Sequence, residues 1–220
     1  MNEKSKKTAG EQSALFVEDG MVLGLGTGST VKYAIEAIAE RIKGEGLDVV
    51  ALPTSKSTEE LASSLGIKLS SLMEYSDIDL CIDGADEVDG DFNLIKGGGG
   101  AHTREKIIAS ASKKFIVVVD ESKMVEKIGG FPVAVEFLGF GKRLVANQLH
   151  QIGGNPKFRE NFETDNGNLI FDTKFYIDDP LTLEDRINSI PGVLENGIFS
   201  HRRPERVIVG MGEKYEIIEK

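Results

Sequence analysis

Strands alternating with helices through residue 129, continuous apolar runs such as Phe115–Val119, and a change of rhythm after Gly129-Gly130 predict an α/β fold. The architecture expected is a Rossmann-like parallel-sheet domain over residues 1–129 and 204–220, with a smaller ferredoxin-like α+β domain over residues 130–203. An apolar strand without alternation is buried on both faces, as a parallel strand covered by helices must be.

Lys7–Val17 reads as a weak helix and Met21–Leu25 as a short apolar strand ending in glycines. Val31, Ile35, Ile38 and Ile42 then recur at helical spacing. A strand over Leu47–Leu52, a helix over Ser55–Leu65, a short strand at Ile67–Leu69 and a strand at Asp79–Ile82 follow. The helix Ala101–Ser112 and the strand Phe115–Val119 complete this rhythm. Beyond Gly130 come strand Val133–Phe137, helix Gly141–Gln151 and the break Gly153-Gly154-Asn155-Pro156. Extended pieces near Phe158 and over Leu169–Ile177, helix Leu181–Ser189 and strand Val193–Phe199 then give the order β-α-β-β-α-β of the ferredoxin-like arrangement. Val207–Gly210 and Tyr215–Ile218 return to the large domain.

The 220 residues are 40% apolar and 28% charged, enough to bury a sizeable core, which excludes a disordered tail or a disulfide mini-protein. With 26 basic against 36 acidic residues the net charge is −10, which repels nucleic-acid phosphates and anionic membranes. A small phosphate then has to be held by a local cluster of N–H groups, Lys or Arg. A single cysteine, Cys81, excludes an internal disulfide, and the opening MNEKSKKTAG lacks the apolar run of a signal peptide. No stretch approaches the ~18 consecutive apolar residues of a membrane span. A cytoplasmic protein with neither nucleic acid nor membrane as partner is the expectation.

Gly24-Leu25-Gly26-Thr27-Gly28-Ser29-Thr30 joins a strand to a helix. Glycines let a ligand approach the backbone, and a helix N-terminus offers N–H groups to an anion. The plain alternative is a tight turn with Ser29 or Thr30 capping the helix. A dinucleotide fingerprint wants glycine where Ser29 stands and an acid where Leu52-Pro53-Thr54 stands. No Gly-Lys-Ser or Gly-Lys-Thr follows, so the P-loop pattern fails too, and a phosphate or sugar-phosphate cradle fits better.

Asp83 follows the apolar run Asp79–Ile82, at a strand end where ligands approach open α/β sheets, and a carboxylate there accepts hydrogen bonds from sugar hydroxyls. Around it, Glu74–Asp91 holds eight acidic residues and no Lys or Arg, a run that reads as largely solvated. Lys96-Gly97-Gly98-Gly99-Gly100 enters a helix bearing His102, Arg104, Glu105 and Lys106. Four consecutive glycines are conformationally costly, and a helix starting at their end argues for a nest of N–H groups over a flexible linker. On spacing alone Glu105 is a first-turn carboxylate favoured by the helix dipole. Lys123, beyond the strand Phe115–Val119, is either a solvated helix-start lysine or a phosphate contact. Cys81, His102, His150 and His201 lack metal-ligand spacing and no G-x-S-x-G elbow is present, which leaves acid–base chemistry by carboxylate and lysine.

GLGTGST, PTSKSTEELA, DGADEVD, KGGGGAHTREK and VVDESK, in this order, resemble the A-type ribose-5-phosphate isomerase family, and the resemblance runs on through GGNPKFR, TDNGN and INSIPGVLENGIF. It implies interconversion of ribose 5-phosphate and ribulose 5-phosphate in the pentose phosphate pathway, without metal or organic cofactor. It also implies a homodimer or a dimer of dimers. Matched motif to motif, it places substrate binding on Thr27, Gly28, Ser29 and Thr30, on Asp83, Gly84, Ala85 and Asp86, on Lys96, Gly97, Gly98 and Gly99, and on Lys123. Glu105 matches the family's proton acceptor, which replaces the helix-dipole reading. Asp83 is then expected to relay protons, and Lys96 to donate to the developing oxyanion. His102 and Lys56 depart from the family pattern and lie outside the matched positions.

Two rival classes lack their signals. A sugar-phosphate-sensing regulator on the same fold would carry a basic DNA-binding segment. A nicotinamide-dependent oxidoreductase would carry the missing third glycine and ribose-binding acid.

Overall fold

The computed structural model describes residues 3–219; Met1, Asn2 and Lys220, which the sequence assigns to the large domain, lie outside the described residues. In chain order the first elements are α1 (Glu3–Ala14), β1 (Val22–Leu25), α2 (Ser29–Glu45), β2 (Val50–Pro53), α3 (Lys56–Ser64), β3 (Lys68–Leu69) and β4 (Ile78–Asp83). Next come β5 (Glu87–Val88), β6 (Leu94–Ile95), α4 (His102–Ser110), β7 (Ser112–Asp120), β8 (Val133–Phe137) and α5 (Lys142–Gln151). The last are β9 (Asn155–Phe158), β10 (Leu169–Lys174), α6 (Pro180–Asn188), β11 (Val193–Asn196), β12 (Ile198–Phe199), β13 (Arg206–Met211) and β14 (Lys214–Glu219). Short 3-10 turns lie at Glu121–Lys123 and Gly139–Gly141.

The chain forms two compact units. One comprises the described residues through Gly84, Arg104–Met124 and the chain from Pro204 onward; the other comprises Ala85–Thr103 and Val125–Arg203. The second unit thus takes 85–103 and 125–129, which the sequence reading placed in the large domain. The reason is pairing: β5 and β6 form an antiparallel sheet with β12 instead of extending the parallel sheet.

In the first unit the sheet order is β14-β13-β7-β4-β1-β2-β3, with β13, β7, β4, β1, β2 and β3 parallel and β14 turned back on β13. Leu23, Leu25, Leu80, Ile82, Ile116, Val118 and Ile208 from its strands pack with Ile35 and Ile38 of α2. Phe115–Val119 are all buried, as an apolar run without alternation requires. The weak periodicity of α1 has a physical origin, since its buried positions are Ser5, Ala9, Gly10, Ser13 and Ala14. A Cβ at Gly10 would stand 2.7 Å from Tyr33 Cβ, so small residues let α1 lie close against α2.

The second unit carries the ferredoxin-like order. Its antiparallel sheet runs β11-β8-β10-β9, and Val133, Val135 and Phe137 of β8 pack with Val145 and Leu149 of α5 and Leu183 and Ile187 of α6. The Phe137 and Phe171 rings stack at 4.5 Å. The expected strand Val193–Phe199 divides at Gly197, where a Cβ would lie 2.1 Å from the Lys96 carbonyl oxygen. That close approach hands Ile198 and Phe199 to β6.

Strand alternation turns Glu136 away from the helices packed on Val135 and Phe137. It is fully buried and accepts hydrogen bonds from Thr103 Oγ1 (2.5 Å), Thr164 Oγ1 (2.7 Å), Asn168 Nδ2 (2.9 Å) and Asn166 Nδ2 (3.1 Å). Burial pushes the Glu136 carboxyl up, and these four donors outweigh it, holding it below the usual carboxylate range. A depressed carboxyl contributes stability that is complete above the ordinary Glu value of about 4.3 and is lost as pH falls through the lower folded value. Glu136→Gln turns an amide N–H toward groups that are all donors, and should cost about 2 kcal/mol at pH 7. Denaturant titrations at pH 7 and pH 4 should show that loss and a shallower acid dependence in the variant than in the wild type.

Candidate active site

In an open parallel sheet, ligands bind where successive connections diverge from neighbouring strands. Here that point lies between β1 and β4: from β1 the chain winds through α2 to β2 on one side, then returns to place β4 on the other. Asp83 ends β4 fully buried, and its Oδ1 accepts N–H bonds from Thr27 (3.1 Å) and Gly84 (2.7 Å). Gly26 makes this possible, because a Cβ there would lie 2.0 Å from that same oxygen.

The loop after β1 presents backbone donors. Gly28 holds the N-cap of α2 at φ 126°, a region open to glycine, and supplies no capping side chain. Ser29 and Thr30 occupy the first helical turn instead of the cap that the plain alternative gave them. Thr27 Oγ1 lies 2.8 Å from Thr54 Oγ1 and 2.7 Å from Ser55 Oγ, and Thr58 Oγ1 donates to the Gly26 carbonyl at 2.8 Å. Ser55 also caps α3 by accepting the Thr58 N–H. The PTSKST stretch is thus a hydroxyl network beneath the loop, a role its composition does not announce. A cleft of about 270 Å³ lies against the loop, lined by Thr27, Gly28, Ser29, Lys32, Ser57 and Thr58 among others.

Helix α4 ends directly before β7, so it runs antiparallel to the strands and its first turn stands at their carboxyl edge. Ile108 pins it to β1, lying 2.4 Å from where a Cβ on Gly24 would be. Glu105, in that first turn, is 4% exposed. Lys123 is half-buried in the 3-10 turn after β7, a turn capped by Asp120 through the Ser122 N–H at 3.0 Å. Thr27, Gly28, Ser29, Thr30, Asp83, Gly84, Glu105 and Lys123 therefore all stand at the carboxyl edge of the first unit's sheet.

Ala85, Asp86, Lys96 and Gly97–Gly99 belong to the second unit. Asp86 Oδ2 accepts the Gly98 N–H at 2.8 Å, and Lys96 is 2% exposed with Nζ 5.6 Å from the Phe199 ring centre. The glycine loop is a built turn and not a linker: Gly97 and Gly100 take φ of 106° and 78°, and the Gly100 N–H closes on the Gly97 carbonyl at 2.9 Å.

The acidic run departs from its solvated reading at two positions besides Asp83. Glu87 is buried and accepts the N–H groups of Gly129 (2.7 Å) and Phe131 (2.5 Å). Asp89 is buried and accepts those of Asp91 and Asn93. Asp83 is buried between Thr27 and Gly84 as described. Among the described residues, no three His, Cys, Asp or Glu side chains gather as metal ligands, and no helix is long and apolar enough to cross a membrane.

Comparison with known proteins agrees over nearly the whole chain. A family model described as ribose 5-phosphate isomerase A (phosphoriboisomerase A) matches residues 50–214. A ribose-5-phosphate isomerase A of Methanothermobacter thermautotrophicus is 47% identical, covering 97% of this chain and 96% of its own. One of Acidithiobacillus ferrooxidans is 46% identical over 93% of each. Among solved structures, the ribose 5-phosphate isomerase A of Methanocaldococcus jannaschii superposes with a TM-score of 0.96 at 42% identity, covering 100% of both chains. A D-ribose-5-phosphate isomerase in complex with phospho-erythronic acid gives 0.97 at 41% identity, again over 100% of both.

The Gly26 to Asp83 contact makes a test of the edge geometry. Gly26→Ala should cost about 1–3 kcal/mol of stability, the range for overpacking a filled interior, as read by denaturant unfolding.

Proposed function

This chain belongs to the ribose 5-phosphate isomerase A family, and on that premise we propose that it moves a proton between C2 and C1 of its sugar phosphate through an enediolate, with Glu105 as the base. What supports the assignment is placement. Glu105 is buried in the first turn of a helix whose start stands at the edge where Asp83 is fixed by Thr27 and Gly84. A carboxylate over one face of an open-chain aldose removes the C2 proton, and the electron pair becomes the C1–C2 double bond. Returning the proton to C1 while a second proton passes between O1 and O2 completes the ketose.

Asp83 is assigned the oxygen-to-oxygen transfer. In ring opening the proton of the O1 hydroxyl goes to the ring oxygen as the bond from C1 to that oxygen breaks. Lys96 and the N–H groups of Gly97–Gly99 are assigned to the negative charge that develops on the enediolate oxygens, because fixed donors there need no reorganisation during the reaction. Thr27–Thr30 and Lys123 are assigned to the remainder of the substrate, including its phosphate, with Gly84, Ala85 and Asp86 completing the binding set. The same reading makes the protein a cytoplasmic homodimer or dimer of dimers in the non-oxidative pentose phosphate pathway, acting without metal or organic cofactor.

Glu105→Gln keeps the shape of the side chain and removes its basicity. It should lower ribose 5-phosphate turnover by about 10³-fold or more while substrate affinity stays within a few-fold, because loss of proton transfer acts on kcat. Wild-type turnover should be unchanged by chelator. Near-normal turnover in the variant would remove Glu105 from the role of base.

A further inference from the structure

The stretch Gly153–Arg159, part of the family resemblance, supplies none of the assigned binding or catalytic residues, yet it ends in a side chain with a defined task. Arg159 Nε and Nη2 donate to the two carboxylate oxygens of Asp172 on β10, at 2.9 and 2.5 Å. The same guanidinium reaches two adjacent carbonyls of the glycine loop: Nη2 to Gly97 O at 3.1 Å and Nη1 to Gly98 O at 3.4 Å. Its carbon lies 5.0 Å from the centre of the Phe162 ring, and a Cβ at Gly100 would lie 2.3 Å from that ring. The Arg159 and Asp172 side chains are only 16% and 27% exposed.

In a trans peptide the C=O and the following N–H point opposite ways. The Gly97 carbonyl aimed at Arg159 therefore sends the Gly98 N–H the other way, where it meets Asp86. The Gly98 carbonyl aimed at Arg159 turns the Gly99 N–H away from the guanidinium in the same manner. Glycine peptides flip readily because both signs of φ are open to them, so such a loop is ordered only where something outside it holds its carbonyls. A planar fork with five donors holds two neighbouring carbonyls and a carboxylate at once, which a lysine ammonium does not.

We propose that Arg159, locked by Asp172, is a positioning residue that sets the peptide planes of the Lys96–Gly100 loop before substrate arrives. The proposal rests on the reading of that loop as a substrate-binding element and explains how a glycine-rich loop binds without charging its ordering to the ligand.

The test compares wild type, Arg159→Lys and Arg159→Met by amide hydrogen exchange of the substrate-free protein, by thermal melting, and by steady-state turnover of ribose 5-phosphate. Exchange at Gly98 and Gly100, whose N–H groups are bonded to Asp86 and to the Gly97 carbonyl, should quicken by about tenfold or more in Arg159→Met, because the loop opens without its anchor. KM should rise by about tenfold with kcat changed by no more than about threefold, the pattern of lost pre-organisation in binding, and Arg159→Lys should fall between. Wild-type exchange in Arg159→Met would overturn the proposal. So would a fall in kcat at unchanged KM, or a KM change that follows the unfolded fraction with Arg159→Lys no better than Arg159→Met. Exchange needs no turnover, so a wild type that failed to isomerise ribose 5-phosphate would defeat the functional reading alone and leave Arg159 to the exchange result.

Discussion

A carboxylate with no exposed surface at the end of β4 is the constraint around which the carboxyl edge of the parallel sheet is arranged. Asp83 must be hydrogen-bonded to be buried at all, and its Oδ1 needs donors that the backbone can supply. Two backbone N–H groups serve, one from its own strand's exit and one from the loop leaving β1. Those donors converge only because β1 and β4 are neighbours at the point where the winding of the sheet reverses, and because Gly26 has no Cβ to fill the space. Topology and one missing methyl group thus place a carboxylate and a glycine loop together. Thr27 is in turn held from below by the hydroxyls of Thr54 and Ser55, so the order imposed on Asp83 extends to the start of α3.

The second unit applies the same device with different parts. Gly197 lets a strand cross close over the Lys96 carbonyl, and its own N–H and carbonyl are used by Ala134 and Lys96. Lys96 is thereby fixed through its backbone, and Phe199 lies near its ammonium. Glu136 ties Thr103, in the first turn of α4, to the Thr164–Asn168 turn with four neutral donors. An ionised carboxylate buried among hydroxyls and amides costs more than an apolar residue of the same size would. What it returns is direction, since each donor has one place to point.

Much of this was legible in the sequence, and the reasons differ by element. The parallel strands were readable because burial on both faces leaves apolar runs, and β8 through β11 because their helices and strands alternate at ordinary lengths. Asp83 was readable as the first polar residue after such a run. The pair β5 and β6 was not: each has two residues, too few for a period, and β5 lies within an acidic stretch whose charges suggest solvent, with β6 just beyond it. Glu87 and Asp89 are buried there because backbone N–H groups take the place of water, and such donors leave no mark on composition. Glu136 was hidden for a similar reason, standing in an apolar strand whose partners are nearly thirty residues or more away in the chain. Gly197 gave no sign of dividing its strand, because the close approach it permits is set by Lys96, a hundred residues earlier.

Net charge is a poor guide to what such a site attracts. The chain carries −10 overall, yet several of its buried acids are already committed to backbone donors: Asp83 to Thr27 and Gly84, Glu87 to Gly129 and Phe131, Asp89 to Asp91 and Asn93. Partly exposed Asp86 is committed in the same way, to Gly98. Each such bond spreads the carboxylate charge onto peptide dipoles at short range, where it counts most. The acids that stand exposed at the solvated surface are screened within about 8 Å at an ionic strength near 0.15 M. The carboxyl edge of the first unit's sheet presents the first turn of α2 and the half-buried Lys123, and the second unit presents an exposed Gly98 and Gly99 on its own glycine loop. Recognition of an anion by an acidic protein is then a matter of which N–H groups the backbone turns outward, and glycine decides that in both loops.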